Sequence, residues 1–240
     1  MKLLISPKDK IEALEAVSGG ADIVDVKNPK EGSLGANFPW VIKKIREIAD
    51  LKNLGVSATI GDFTNLPGTA SLAALGAASC GVNYVKAGLK VDSEEQALAV
   101  AKAVVRAVKN YNPEINVVIA GYADFQELDL MSCMKIPGVG AAAGADYVML
   151  DTITKNKNRN LLDYLTIDEL EKFTREAHDA GLSVALGGSL GKAHIKPLYD
   201  IGVDVIGIRG AACEAGDRSG AIKKEKVREL KDAILGLKTC

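Results

Sequence analysis

The sequence has few of the side chains that bind transition metals or carry redox chemistry. It holds two histidines, His178 and His194, and four cysteines, Cys80, Cys133, Cys213 and Cys240, none of them in a C-x-x-C pair. Without clustered donors a metal centre is not expected. The thiols read as packing or surface groups in a reducing compartment, here the cytoplasm. An excess of one charge is missing too. The 30 basic and 31 acidic side chains nearly cancel, so no cationic field or basic arm is present to hold nucleic acid, and any anion site must be assembled locally. Nor is there a long apolar run. None approaches the roughly 20 residues that span a bilayer. The apolar start at Leu3 is cut at Pro7, too short for a signal core. Nucleic-acid and membrane partners are therefore not expected, which leaves small molecules.

What is present is a repeated alternation. The strand candidates are Leu3 to Ser6, Asp22 to Lys27, Val56 to Ile60, Tyr84 to Gly88, Val117 to Tyr122, Tyr147 to Thr152, Ser183 to Leu186 and Val205 to Arg209. Each is short and mostly apolar, as parallel strands buried on both faces are. Helical patterns separate them. Ala97, Ala101, Val104, Val105 and Val108 form one apolar stripe, and Val227, Leu230, Ile234 and Leu237 another. Ser93 with Gln96 and Thr166 with Glu169 fit capping boxes, and Ser6-Pro7 fits an N-cap followed by the first helical residue. A small-residue entry recurs before four strands: Gly20-Ala21-Asp22, Gly81-Val82-Asn83, Gly144-Ala145-Asp146 and Gly202-Val203-Asp204. Glycine there fits a left-handed helix C-cap. Eight strand–helix units in 240 residues predict an α/β protein, a single (β/α)8 barrel spanning 1–240 as one catalytic domain. An open doubly wound sheet is the competing architecture, but no G-x-G-x-x-G follows the first strand.

In such a barrel the chemistry sits at the carboxyl ends of the strands. Side-chain period two puts Asp25 and Lys27 on one face of the second strand, with Val24 and Val26 on the other. The valines suit the helix-facing side, so Asp25 and Lys27 should point inward. The same reasoning sends Lys86 inward from the fourth strand and Asp151 from the sixth, with Lys155 in the loop that follows. Interior charges are unfavourable unless paired or functional. Structural ion pairs, such as Asp25 with Lys27 or Lys86 with Asp151, are one explanation. The other is Schiff-base chemistry on a carbonyl substrate. A nucleophilic amine must be neutral, and burial or a neighbouring cation lowers a lysine pKa, while carboxylates can orient the amines and move protons.

Gly187-Gly188-Ser189-Leu190-Gly191 and Arg209-Gly210-Ala211-Ala212 follow the seventh and eighth strands, the usual phosphate position of this fold. Glycine lets backbone N–H groups approach an anion, and Arg209 can add a charge-assisted bond. Plain turns are the alternative reading. His194 reads as a surface or capping residue and His178 as a solvated helix residue. Trp40 opens the second helix and should pack there.

The segment Asp25-Val26-Lys27-Asn28-Pro29-Lys30-Glu31-Gly32-Ser33-Leu34-Gly35-Ala36-Asn37-Phe38-Pro39-Trp40 resembles the (5-formylfuran-3-yl)methyl phosphate synthase family of methanogens and their relatives. The resemblance extends through Ser57 to Asp62, Tyr84 to Gly88, Leu150 to Thr152 with Lys155, Gly187 to Leu190, and Arg209 to Cys213, and so covers the whole chain. It implies a lyase that joins two molecules of glyceraldehyde 3-phosphate into 4-(hydroxymethyl)-2-furancarboxaldehyde phosphate, with loss of phosphate and water, in methanofuran biosynthesis. The family's Schiff-base lysine falls on Lys27 and its proton-transfer lysine on Lys86. Further site residues fall on Asp25, Asp151 and Lys155. No metal or organic cofactor is expected, because the imine is itself the electron sink. The product and pathway come from the resemblance alone. On the residues alone, two other readings stand: a Schiff-base aldolase with another phosphorylated substrate, or a non-catalytic barrel that binds a phosphometabolite. A homo-oligomer is expected only by analogy with other barrels.

Overall fold

Eight parallel strands close into a barrel in sequence order in the computed structural model, which describes residues 1–50, 53–155 and 159–237; Cys240 lies outside them. The strands are β1 (Lys2–Ile5), β2 (Ile23–Val26), β3 (Gly55–Phe63), β4 (Tyr84–Leu89), β5 (Asn116–Tyr122), β6 (Tyr147–Asp151), β7 (Ser183–Leu186) and β8 (Val205–Ile208). An α-helix follows each: α1 (Lys10–Gly19), α2 (Pro39–Asp50), α3 (Pro67–Ala78), α4 (Glu94–Tyr111), α5 (Ile136–Ala143), α6 (Ile167–Asp179), α7 (Lys192–Asp200) and α8 (Lys224–Gly236). Among the described residues no helix is long and apolar enough to cross a membrane.

Period two sorts the strand residues into two cores. Val24, Val26, Val85, Ala87, Val117, Ile119, Val148 and Leu150 pack outward against the helices. Leu4, Ile23, Val118, Ala120, Met149, Ala185 and Val205 fill the barrel interior, with Tyr84 and Tyr147 set edge to face at 5.6 Å. The α4 stripe is buried as expected, as are Val227, Leu230 and Ile234 of α8. At about 25 cal/mol for each Å² of apolar surface removed from water, these two layers supply the main drive to close the barrel.

The recurring entry before the even strands has a structural role. Gly20, Gly81, Gly144 and Gly202 all adopt positive φ, between 77° and 93°, where a side chain would be strained. The Asp or Asn two residues later reaches back to the preceding strand. Asp22 accepts from Leu3 N–H, Asn83 from Val56 N–H, Asp146 from Val117 N–H and Asp204 from Val184 N–H, at 2.7–2.9 Å. Each even strand is thereby stapled to its odd neighbour at the amino end of the barrel.

Four local expectations change. Helix α1 starts at Lys10, not Pro7, because Asp9 caps it by accepting from Glu12 N–H, while Ser6 Oγ donates instead to Asp25. Lys27 and Arg209 lie one residue beyond their strands. Strand β3 runs on to Phe63 through a register shift between Thr59 and Asp62, centred on Gly61 with φ +128°. Trp40 does not pack into the core. It is 68% exposed and stacks on Phe38 at 4.8 Å.

Candidate active site

The carboxyl ends of β2, β4 and β6 bring their charged residues into one buried cluster. Lys27, Lys86, Asp25 and Asp151 are all buried, the most exposed being Lys27 at 6%. The ion pairs differ from those the spacing suggested. Lys86 Nζ donates to Asp25 Oδ2 at 2.8 Å, and Ser6 Oγ donates to the same oxygen at 3.1 Å. Asp25 Oδ1 is buried and has no partner among the described residues. Lys155 Nζ donates to Asp151 Oδ1 at 2.5 Å and to Thr152 Oγ1 at 3.3 Å. Among the described residues Lys27 Nζ has no hydrogen-bond or ion-pair partner. It lines a pocket with Lys86, Asp151, Lys155, Met149 and the β7 and β8 loops.

This geometry sets the proton affinities. Burial disfavours the Lys27 ammonium, and the charges of Lys155 and Lys86 push the same way. Asp151 and Asp25 oppose them only in part, so the Lys27 pKa falls from 10.5 to about 8. Burial would raise Asp151, but the charges of Lys155 and Lys27, together with hydrogen bonds from Lys155 and Thr152 N–H, outweigh it and bring the carboxyl down to about 2. At neutral pH the site therefore holds an ionised Asp151 beside an amine that is partly neutral.

The loop after β2 decides which half of the barrel mouth stays open. Leu34, at its tip, is fully buried and joins the interior core. Its N–H donates to both oxygens of Asp62, at 3.1 and 3.2 Å. Tyr122 also donates its hydroxyl to Asp62. Burial and the adjoining carboxylate push the Tyr122 pKa well up, which keeps that donor protonated. Ser33 Oγ donates to Thr152 O at 2.8 Å, and Thr59 Oγ1 to Gly35 O at 2.7 Å. The loop thus plugs the mouth over β3 to β5. The pocket lies mainly on the side of β1, β2 and β6 to β8, with Lys86 lining it from β4. Gly32 and Gly88 make room for this clamp: a Cβ on Gly32 would lie 2.3 Å from Asp62 Oδ2, and one on Gly88 1.9 Å from the Tyr122 hydroxyl. Behind Lys155, the buried Asp124 accepts from Ile153 N–H at 3.0 Å and Thr154 N–H at 2.7 Å, fixing the lysine's loop.

The anticipated anion loops border the same pocket. Gly187, Gly188, Ser189, Arg209 and Gly210 all line it. Their parts differ. Gly187 N–H is committed to Leu150 O at 2.8 Å, so Gly187 contributes space, a Cβ there lying 3.0 Å from Met149 Cε. No hydrogen bond among the described residues uses the N–H of Gly188, Ser189 or Gly210. Gly188 and Ser189 both have positive φ, +99° and +55°; Ser189 is strained, an observation that points to a functional constraint. Arg209 donates through Nη1 to Ser6 O and Glu12 Oε2, each at 2.7 Å, through Nη2 to Glu12 Oε1, and through Nε to Arg218 O. Of its five N–H groups one remains free. Arg218, which sequence reasoning passed over, also lines the pocket, and its guanidinium has no partner among the described residues. Burial lowers its pKa. His194 caps α7 by accepting from Gly191 N–H at 2.9 Å, and His178 pairs with Asp204 at 2.9 Å.

Comparison with known proteins gives the cluster a context. A sequence profile described as 4-HFC-P synthase matches residues 3–231. The (5-formylfuran-3-yl)methyl phosphate synthase of Methanothermobacter thermautotrophicus is 53% identical over 236 residues, 98% of this chain and 99% of that protein. The synthases of Methanocaldococcus jannaschii and Archaeoglobus fulgidus are 52% and 49% identical, each covering at least 97% of both chains. Among solved structures, a 3-hexulose-6-phosphate synthase superposes with TM-score 0.65 at 19% identity, covering 98% of this chain and 100% of that one. A thiamine phosphate pyrophosphorylase from Pyrococcus furiosus gives 0.61 at 14%, covering 98% and 95%. At those identities the structural likeness is one of fold.

Proposed function

Since the chain belongs to the 4-HFC-P synthase family, we propose that it condenses two molecules of glyceraldehyde 3-phosphate to 4-(hydroxymethyl)-2-furancarboxaldehyde phosphate, through an imine on Lys27, in methanofuran biosynthesis. The observation that carries the mechanism is the contrast among three lysines. Lys86 and Lys155 are each held by a carboxylate, whereas Lys27 is buried, unpaired and shifted to about 8. An amine in that state is the nucleophile of the set.

In this reading the Lys27 amine adds to the carbonyl carbon of one triose phosphate and water leaves, forming the imine. Lys86, with its proton shared toward Asp25, transfers protons at the bound carbon skeleton. Asp151 and Lys155 act as a second proton-transfer pair. The second triose then adds by carbon–carbon bond formation, after which elimination of phosphate, ring closure and dehydration build the furan, and hydrolysis of the imine releases the aldehyde and restores the Lys27 amine. The N–H groups of Gly188, Ser189 and Gly210, the remaining N–H of Arg209 and the Arg218 guanidinium hold a substrate phosphate. No metal or organic cofactor has a role in this sequence. The protein acts as a lyase on small phosphorylated substrates in the cytoplasm.

The test is intact-protein mass after incubation with glyceraldehyde 3-phosphate and borohydride, together with analysis of the product. A reduced triose adduct on the protein, its loss in Lys27→Arg, and a furan aldehyde phosphate in solution are expected. An adduct with a different product would identify an aldolase of another specificity. Turnover unchanged in a folded Lys27→Ala would overturn the mechanism.

A further inference from the structure

Two triose phosphates bring two phosphate groups, and the β7 and β8 loops that border the Lys27 pocket provide for one. A second, wider basin opens outside it, and the two are contiguous, because Lys155 and Arg218 line both. The rim of the outer basin carries Lys8, Lys30 and Lys90. Its two carboxylates are already engaged. Asp62 holds Leu34 N–H and the Tyr122 hydroxyl, and Glu31 accepts from Asn28 Nδ2 at 3.2 Å. Lys8 lies 3.2 Å from Glu12. Lys30, Lys90 and the Arg218 guanidinium form no ion pair among the described residues, although the charge of Asp151 acts on Arg218.

Other exposed lysines, such as Lys43, Lys102 and Lys192, also form no ion pair among the described residues; Lys30, Lys90 and Arg218 differ in lining one cavity. The position of the unpaired ones follows from the strands. Lys30 sits three residues beyond Lys27, and Lys90 four beyond Lys86. So β2 and β4 each carry an inner amine in the buried cluster and an outer amine on the rim, on either side of Asp62. Six basic side chains line this basin against two carboxylates, and such an excess of cations around a cavity attracts an anion and strengthens its hydrogen bonds.

We propose that Lys30, Lys90 and Arg218 form a second phosphate-binding subsite, which holds the phosphate of the second triose while the first is anchored at the β7 and β8 loops. The proposal rests on the two-triose reading above. It accounts for the placement of Lys155 and Arg218 between the two basins, where their charges screen the repulsion between two phosphate dianions.

The experiment compares the full-length protein with Lys30→Ala/Lys90→Ala. Calorimetric titration with inorganic phosphate is expected to give two sites per chain in the first and one in the second. In turnover with glyceraldehyde 3-phosphate, KM is expected to rise about tenfold or more, the usual effect of losing bonds to a charged group, with borohydride trapping of the first triose retained. Lys30→Arg/Lys90→Arg should restore the affinity. Equal phosphate stoichiometry in the two proteins would overturn the subsite, as would an unchanged KM, loss of the trapped adduct, or failure of the arginine variant to restore binding. Failure of the functional reading is separately visible: the unmodified protein would then give neither adduct nor furan, and the titration alone would decide whether the subsite exists.

Discussion

The lowered proton affinity of Lys27 has a direct kinetic consequence. With a pKa of about 8, roughly one-tenth of the amine is neutral at pH 7, about 300 times the fraction available at 10.5. Imine formation should therefore accelerate about tenfold per pH unit below 8 and level off above it. The assay is single-turnover trapping with cyanoborohydride and glyceraldehyde 3-phosphate between pH 6 and 10, read by intact mass at short times. The sign of neighbouring charges gives a second check. Asp151 favours the Lys27 ammonium, so Asp151→Asn should move the inflection below 8, on the order of one unit, and the freed charge of Lys155 acts in the same direction. An inflection near 10 in the unmodified protein, or an upward shift in Asp151→Asn, would refute the argument that burial and the surrounding cations activate this amine.

Three further outcomes follow from the same contacts. Because Lys27 binds its proton less tightly in the folded state, the unfolded chain holds more protons between pH 8 and 10.5; the penalty is complete below about 8 and disappears as pH rises past 10.5. Lys27→Met should consequently stabilise the fold at pH 7, by about 3 kcal/mol at most, while abolishing trapping; chemical denaturation at pH 7 and at pH 10 checks both the gain and its decline. Gly88→Ala would drive a Cβ into the Tyr122 hydroxyl and should lower stability by about 1–3 kcal/mol, with turnover falling as the Leu34 plug loosens; an unchanged Tm would count against the clamp. Arg209→Met leaves the buried Glu12 with only the partly exposed Lys8 as an ion partner and should cost up to about 3–5 kcal/mol, whereas Arg218→Met should raise KM with little effect on denaturation, so a reversed pattern would exchange their assigned roles.

The inward residues of β2, β4 and β6 were legible because period two survives in those strands: Val24 and Val26, or Val85 and Ala87, identify the helix side and leave Asp25, Lys27 and Lys86 for the interior. Asp62 was not legible by that rule. Counting from Ser57 and Thr59, residue 62 falls on the outer face, and only the shift at Gly61 turns it inward. A glycine inside a strand pattern is the available sign of such a bulge. Leu34 was hidden for a different reason. It lies in a glycine-bearing loop with no periodicity, and nothing local marks it as a core residue. The ion pairs were also beyond reach, because Arg209 and Glu12 meet across 197 residues of sequence and their contact depends on barrel closure. Tyr122 could have been found by continuing the Val118 and Ala120 alternation to the end of β5.

The carboxylates at the two ends of the barrel do different work. At the amino end Asp22, Asp146 and Asp204, with Asn83, accept backbone N–H groups of the neighbouring strand, which fixes the register, and the three carboxylates also pair with Lys231, Lys109 and His178 on the outside of the barrel. At the carboxyl end Asp25, Asp62 and Asp151 accept from Lys86, Tyr122 and Lys155, and Asp62 and Asp151 also from the N–H groups of Leu34 and Thr152 in the loops. The staple at the first end needs only a hydrogen-bond acceptor, so Asn serves there at residue 83. A charge at the second end sets the proton affinity of its neighbours, a role an amide cannot take over. The same residue type thus holds strands together on one rim and tunes a buried lysine on the other, and the difference lies in whether an acceptor or a negative charge is needed.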